Sequence, residues 1–179
     1  AIPDNTFKGL VNLETVVIGE NVVSIGANAF SETAITEITL PDSVTTLDAN
    51  AFKGMILETI TFGDGITEIP ASMFAGMTTV KNVTLGANTK VIGASAFAGT
   101  SIATIVIPNG VETISANAFA NTKLAEITIP NSVTTIGANA FAGTSIKTLI
   151  IPDNVTNLDV NAFKGMENIE EIVLGAGIT

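Results

Sequence analysis

Cysteine, histidine, tryptophan and tyrosine are all missing from this sequence of 179 residues, and each absence closes off some chemistry. Without thiols there is no disulfide framework and no thiolate nucleophile. Without imidazole there is no histidine base, and without either a zinc site of the usual Cys/His kind has no ligands. Positive charge is scarce as well: 7 Lys+Arg stand against 17 Asp+Glu, a net charge of −10. Affinity for nucleic acid comes mostly from clustered cations on phosphates, so this balance argues against a nucleic-acid partner, and an anionic membrane repels such a chain too. Long apolar runs are also lacking, although the mean hydropathy is +0.52. Val16-Val17-Ile18 and Ile105-Val106-Ile107 are typical, far short of the ~18 residues that a spanning helix needs, and no membrane insertion is expected. The opening Ala1-Ile2-Pro3-Asp4 has neither the basic nor the apolar stretch of a secretory leader, which leaves the compartment open.

What is present is a repeat. Eight phenylalanines, Phe7, Phe30, Phe52, Phe74, Phe97, Phe119, Phe141 and Phe163, follow one another at 22 or 23 residues, and Phe62 alone stands outside the series. The same string surrounds each anchor, as in Ala116-Asn117-Ala118-Phe119 and Ala138-Asn139-Ala140-Phe141. A unit this short cannot bury its own apolar side, so copies must stack until each covers its neighbour.

Within one copy, Ile105 and Ile107 alternate with Thr104 and Val106, the period of two of a short strand with one face inward. Pro108-Asn109-Gly110 then ends the strand with turn chemistry, and Val111 and Ile114 belong to a second short extended segment. Ser115, like Asp48 and Asp159 in other copies, is placed to cap a single helical or 3₁₀ turn that carries the phenylalanine into the core. Gly54, Gly99 and Gly143, two residues after the phenylalanine, supply the left-handed conformation that leaves that turn. The Asn/Ser positions just before each anchor, Asn28, Asn50, Ser72, Ser95, Asn117, Asn139 and Asn161, are expected to satisfy backbone groups at the corner. The predicted fold is therefore a repeat solenoid of parallel strands in layers about 4.8 Å apart, with short second strands and single helical or 3₁₀ turns. One domain spans 1–179 as eight repeats of 22–23 residues, and neither end carries a polar cap, so the array is expected to continue beyond them.

The run Ile-x-x-Ile-x-Ile-Pro-x-Ser-Val-x-x-Ile-Gly-x-x-Ala-Phe, clearest at 124–141, resembles the BspA-like leucine-rich repeats of bacterial surface proteins, and the likeness extends over the whole chain. The resemblance implies a leucine-rich-repeat-like architecture, a cell-surface or secreted location and, for several members, adhesion to host matrix proteins or cells. Where the family often carries cysteine three residues after the phenylalanine, this chain has Leu10, Thr33, Met55, Met77, Thr100, Thr122, Thr144 and Met166. These fillers should preserve the packing, but traits that depend on the thiols do not carry over.

In such architectures the resemblance implies that the outward strand positions form the docking face. Here one column is Thr15, Glu37, Thr59, Asn82, Thr104, Glu126, Thr148 and Glu171, and its neighbour is Val17, Thr39, Thr61, Thr84, Val106, Thr128, Ile150 and Val173. In a third column Glu58 and Lys81, and Lys147 and Glu170, are expected to pair across coils. The row that follows the proline position of the repeat, Asp42, Asp64, Asn109, Asn131 and Asp153, offers oxygens that calcium could use, but Pro-Asp and Pro-Asn are ordinary turn dipeptides, so no metal is expected. For catalysis only carboxylate pairs remain, and Glu37, Glu126 and Glu171 fall in separate layers. The sequence therefore predicts no enzyme and no cofactor. It predicts a protein-binding surface module or, alternatively, a structural unit that stacks head to tail with copies of itself into a filament or surface layer.

Overall fold

The computed structural model describes residues 1–178 as a parallel-strand solenoid. Its strands are β1 (Ser24–Ile25), β2 (Glu37–Thr39), β3 (Thr46–Leu47), β4 (Thr59–Thr61), β5 (Glu68–Ile69), β6 (Asn82–Thr84), β7 (Val91–Ile92), β8 (Thr113–Ile114), β9 (Thr135–Ile136), β10 (Thr148–Ile150), β11 (Asn157–Leu158) and β12 (Glu171–Val173). They fall into two files, and every pairing is parallel. In the first file β2, β4 and β6 form one ladder and β10 and β12 another. In the second, β5, β7, β8, β9 and β11 make an unbroken run and β1 pairs with β3. Register joins equivalent positions of successive copies, as in Ile38↔Ile60↔Val83 and Ile92↔Ile114↔Ile136. Like side chains are thereby stacked over like, and the alternating pattern turns one Ile, Leu or Val per strand toward the core, except in the terminal β12, which is exposed throughout.

The third side is built on the phenylalanines. All eight stack in a single file, with neighbouring ring centroids between 5.2 and 6.4 Å and interplanar angles of 4–24°. The six inner rings are completely buried, whereas Phe7 and Phe163 in the terminal layers are half-buried. Phe62 occupies a position that is aliphatic in the other copies and meets Phe74 edge-on at 6.1 Å.

The helical or 3₁₀ turn expected at each phenylalanine is not formed: the described residues contain neither kind of helix. The corner holds i→i−3 turns, such as Ser31 N–H to Asn28 C=O at 3.1 Å and Met77 N–H to Phe74 C=O at 2.9 Å. Left-handed residues interrupt them. Asn28, Ser72, Ser95, Asn117, Asn139 and Asn161 have φ between 54° and 58°, and the glycines Gly54, Gly99 and Gly143 have φ of 76°, 71° and 68°. A left-handed residue every four positions prevents a continuous right-handed turn and points alternate amides along the solenoid axis. Thus the amides of Asn117 and Phe119 reach the carbonyls of Ala138 and Ala140 in the next coil, at 2.8 and 2.9 Å. The role of the Asn/Ser column is accordingly conformational. Asparagine suits it because its short polar side chain tolerates the left-handed region better than most.

Asn50 is the exception, with no positive φ. Its amide donates instead to the Asp48 carboxylate at 2.8 Å, the local cap expected there. The second file is broken at this point, since β3 does not pair with β5.

At the position three after the phenylalanine, Thr33, Thr100, Thr122 and Thr144 are buried, and each hydroxyl donates to the carbonyl of its own phenylalanine at 2.8–2.9 Å. Threonine therefore fills the layer and satisfies a corner carbonyl as well. Met55 and Met166 are buried at the same position, Met77 is half-buried, and Leu10 in the first layer is exposed.

Candidate interaction face

The side chains of the first strand file that point away from the core form the long face expected from the alternation. Fourteen of the sixteen expected residues are exposed: Thr15, Val17, Glu37, Thr39, Asn82, Thr84, Thr104, Val106, Glu126, Thr128, Thr148, Ile150, Glu171 and Val173; Thr59 and Thr61, in the middle of a ladder, are half-covered. Parallel register brings Glu37, Thr59 and Asn82 into one row, and Asn82 Nδ2 donates to Thr59 Oγ1 at 3.3 Å. Apolar rungs stand out from this polar surface: Val17 is 95% exposed, Val106 83% and Ile150 62%. The face is amphipathic, offering methyl groups and threonine hydroxyls along one line.

It is not a continuous sheet, however. The expected strands at 15–17, 104–106 and 126–128 are extended in sequence pattern but belong to no ladder, so Thr15, Val17, Thr104, Val106, Glu126 and Thr128 sit on coil segments stacked without strand pairing. Where pairing fails, the surface opens into shallow grooves. One, of about 540 Å³, lies between the first two coils and is lined by residues that include Glu14, Val17, Glu20, Glu37 and Ile38. The other, of about 630 Å³, runs across the unpaired middle and is lined by residues that include Thr84, Ile105, Val106, Asn109, Glu126 and Pro130.

Charge on the flank follows the expected cross-coil pairs. Lys81 and Glu58 lie 3.3 Å apart, and Lys147 and Glu170 lie 3.2 Å apart. A third pair, Lys90 and Glu112 at 3.2 Å, was not foreseen, although its spacing of 22 residues carried the signal. All these side chains are about half exposed or more, so each pair contributes little. The post-strand aspartates have a definite partner. Asp42 Oδ1 accepts the amide of Asp64 at 2.8 Å, Asp64 Oδ1 that of Ala87 at 2.6 Å, and Asp153 Oδ1 that of Ala176 at 2.8 Å. Their oxygens thus bind the next coil's backbone, and no group of three metal-ligating side chains gathers among the described residues.

Comparison with known proteins agrees with this geometry. The profile of the BspA type leucine rich repeat region matches residues 1–124 and 90–179, in six copies. The chain belongs to this family. No curated protein matches it. Among solved structures, a leucine-rich repeat protein from Bacteroides ovatus aligns at a TM-score of 0.61 and 19% identity, over 97% of this chain and 46% of its own length. A leucine-rich repeat protein of T. pallidum aligns at 0.58 and 22% identity, over 64% of this chain and 68% of that one. A leucine rich cell surface protein from Faecalibacterium prausnitzii aligns at 0.55 and 24%, over 79% and 48% respectively. This BspA-type chain therefore spans about half the length of two of the three, and at these identities the likeness is one of fold.

Proposed function

We propose that this BspA-type solenoid is a non-enzymatic protein-binding module, displayed at a cell surface or secreted, and that it binds with the outward face of the first strand file. The observation that carries this reading is the face itself: a regular, mostly exposed surface running through all the layers, with the apolar rungs Val17, Val106 and Ile150 set among threonines. Extended regular surfaces of this kind are what stacked repeats use to engage partners. The family supports protein binding in general, and adhesion to a matrix or cell-surface protein is the specific form proposed.

Thr104→Arg and Ile150→Arg test it, because both residues are exposed and neither substitution disturbs the core. Against a panel of purified extracellular-matrix proteins measured by surface plasmon resonance, the parent chain should bind at least one member, and each arginine variant should weaken that binding tenfold or more while remaining monomeric. Failure to bind any member, or equal binding by both variants, overturns the reading.

A second reading, head-to-tail stacking into a filament or surface layer, is favoured by the terminal layers. They expose Leu10, Val11, Val160 and Leu174, at 50–69%. On that reading Ile178→Asp abolishes concentration-dependent assembly in sedimentation experiments, whereas Thr104→Arg leaves it intact. A chain that stays monomeric at high concentration excludes it.

A further inference from the structure

We infer that two residues at each coil boundary decide whether an outward strand pairs with the next: an aspartate two positions beyond the end of the strand's core segment, which clamps the next coil's amide, and a glycine facing it from that next coil, which lets the two backbones approach; other residues at these places leave the face open. In the coils of β2, β4 and β10 the aspartate is Asp42, Asp64 or Asp153, and the next coil faces it with Gly63, Gly86 or Gly175, at each of which a Cβ would clash with the preceding coil's backbone. Each carboxylate accepts the amide of the equivalent residue in the following coil, and each of these strands is laddered to the next. In the other coils that have a successor the next coil brings Pro41, Pro108, Pro130 or Pro152 to the facing place, and the aspartate's place is taken by Glu20, Ala87, Asn109 or Asn131. Among the described residues none of these receives such a bond, and none of their strands pairs with the next.

Strand composition does not account for the pattern. Glu37-Ile38-Thr39 and Glu126-Ile127-Thr128 are the same tripeptide, yet the first pairs with β4 and the second pairs with nothing. The sequences that follow, Leu40-Pro41-Asp42-Ser43-Val44-Thr45-Thr46 and Ile129-Pro130-Asn131-Ser132-Val133-Thr134-Thr135, differ only in Leu/Ile and Asp/Asn. Their other contacts also match: Ser43 and Ser132 donate to the carbonyls of Val22 and Val111 at 2.8 and 2.6 Å. What differs is the carboxylate and the residue that faces it from the next coil: Gly63 after the Asp42 coil, where a Cβ would run into the backbone of Pro41 and Asp42, but Pro152 after the Asn131 coil. A charge-assisted bond from an amide to a carboxylate is roughly twice as strong as one to a neutral amide oxygen. Its position fixes the height of the chain just where the ladder has to close.

The effect is visible one step upstream. The amides of Leu40, Phe62 and Ile151 reach the next coil's carbonyls at 2.9, 2.9 and 2.8 Å. These residues are only 1–3% exposed, while their counterparts Ile18, Leu85, Ile107 and Ile129, whose amides have no such bond, are 5–8% exposed. This inference goes beyond the binding reading and rests on the hydrogen bonding and the close backbone approach at the coil boundaries.

Residue-resolved amide hydrogen exchange on the full chain tests it. In the parent, the Ile107 and Ile129 amides should exchange about tenfold or more faster than those of Leu40, Phe62 and Ile151. Asn131→Asp combined with Pro152→Gly should slow Ile129 by about tenfold, and Asp42→Asn should speed Leu40 by a similar factor. Loss of global stability in Asp42→Asn would quicken all protected amides together, so the reading is the ratio of Leu40 to Phe62, which only a local opening changes. A gain of protection in the Asn131→Asp, Pro152→Gly double variant cannot come from unfolding. Unchanged exchange at Ile129 in the Asn131→Asp, Pro152→Gly double variant, or an unchanged Leu40 to Phe62 ratio in Asp42→Asn, overturns the inference.

Discussion

The phenylalanine corner and the outward strand face are built from the same repeat, yet one is continuous and the other interrupted. At the corner every neighbouring pair of rings stacks, with centroids never more than 6.4 Å apart. On the face, pairing is absent between the first coil and β2 and again between β6 and β10. The difference lies in the forces involved. Burial of an aromatic ring is non-directional and tolerates small changes in spacing or tilt, as the range of interplanar angles shows. A strand ladder needs N–H and C=O groups in line at ~2.9 Å, so a modest displacement removes it. Cohesion of the solenoid therefore rests on the apolar corner, and the face is left free to vary.

The largest way to break that comparison is to cut the ring file. Phe97→Ala removes a fully buried ring from the middle of the stack and should cost about 3–5 kcal/mol, read as a lowered urea midpoint. The same change at half-buried Phe163 should cost clearly less; equal losses would mean that the stack does not carry the stability assigned to it. A smaller effect follows from the corner backbone. Gly99 has φ of 71° and only ordinary contacts around it, so Gly99→Ala should cost about 1 kcal/mol from left-handed strain alone. A neutral result by thermal melting would show that the corner relaxes. Smallest is the flank of the face: Lys147→Ala removes an ion pair whose partners are 68% and 69% exposed and should change stability by no more than a few tenths of a kcal/mol. A larger loss would mean that polar contacts on this side contribute more to cohesion than the corner comparison allows.

The Asn/Ser column shows how far a repeat can be read. Its spacing revealed that Asn117 and Asn139 occupy one structural position, but the conformation at that position was not legible. Four-residue strings such as Ala-Asn-Ala-Phe suit a helical turn as well as a left-handed corner. Only the competition between a local i→i−3 bond and a bond to the next coil settles which forms, and at Asn50 that competition goes the other way because Asp48 takes the amide. Much the same holds for Thr122, legible as a core filler but not as the donor to the Phe119 carbonyl. The sixteen outward residues could be placed on one side by alternation alone. Alternation could not tell Glu37, which is laddered, from Glu126, which is not.

By itself, the sequence determined the period, the stacking of equivalent positions and the identity of the core, because a unit of 22 residues repeated eight times has no other way to bury its phenylalanines and isoleucines. Only the tertiary structure decided where the strands pair, where the corner turns left-handed and where the face opens. Those outcomes depend on hydrogen bonds between coils, whose geometry is set by the neighbouring layer and not by the residues of one repeat.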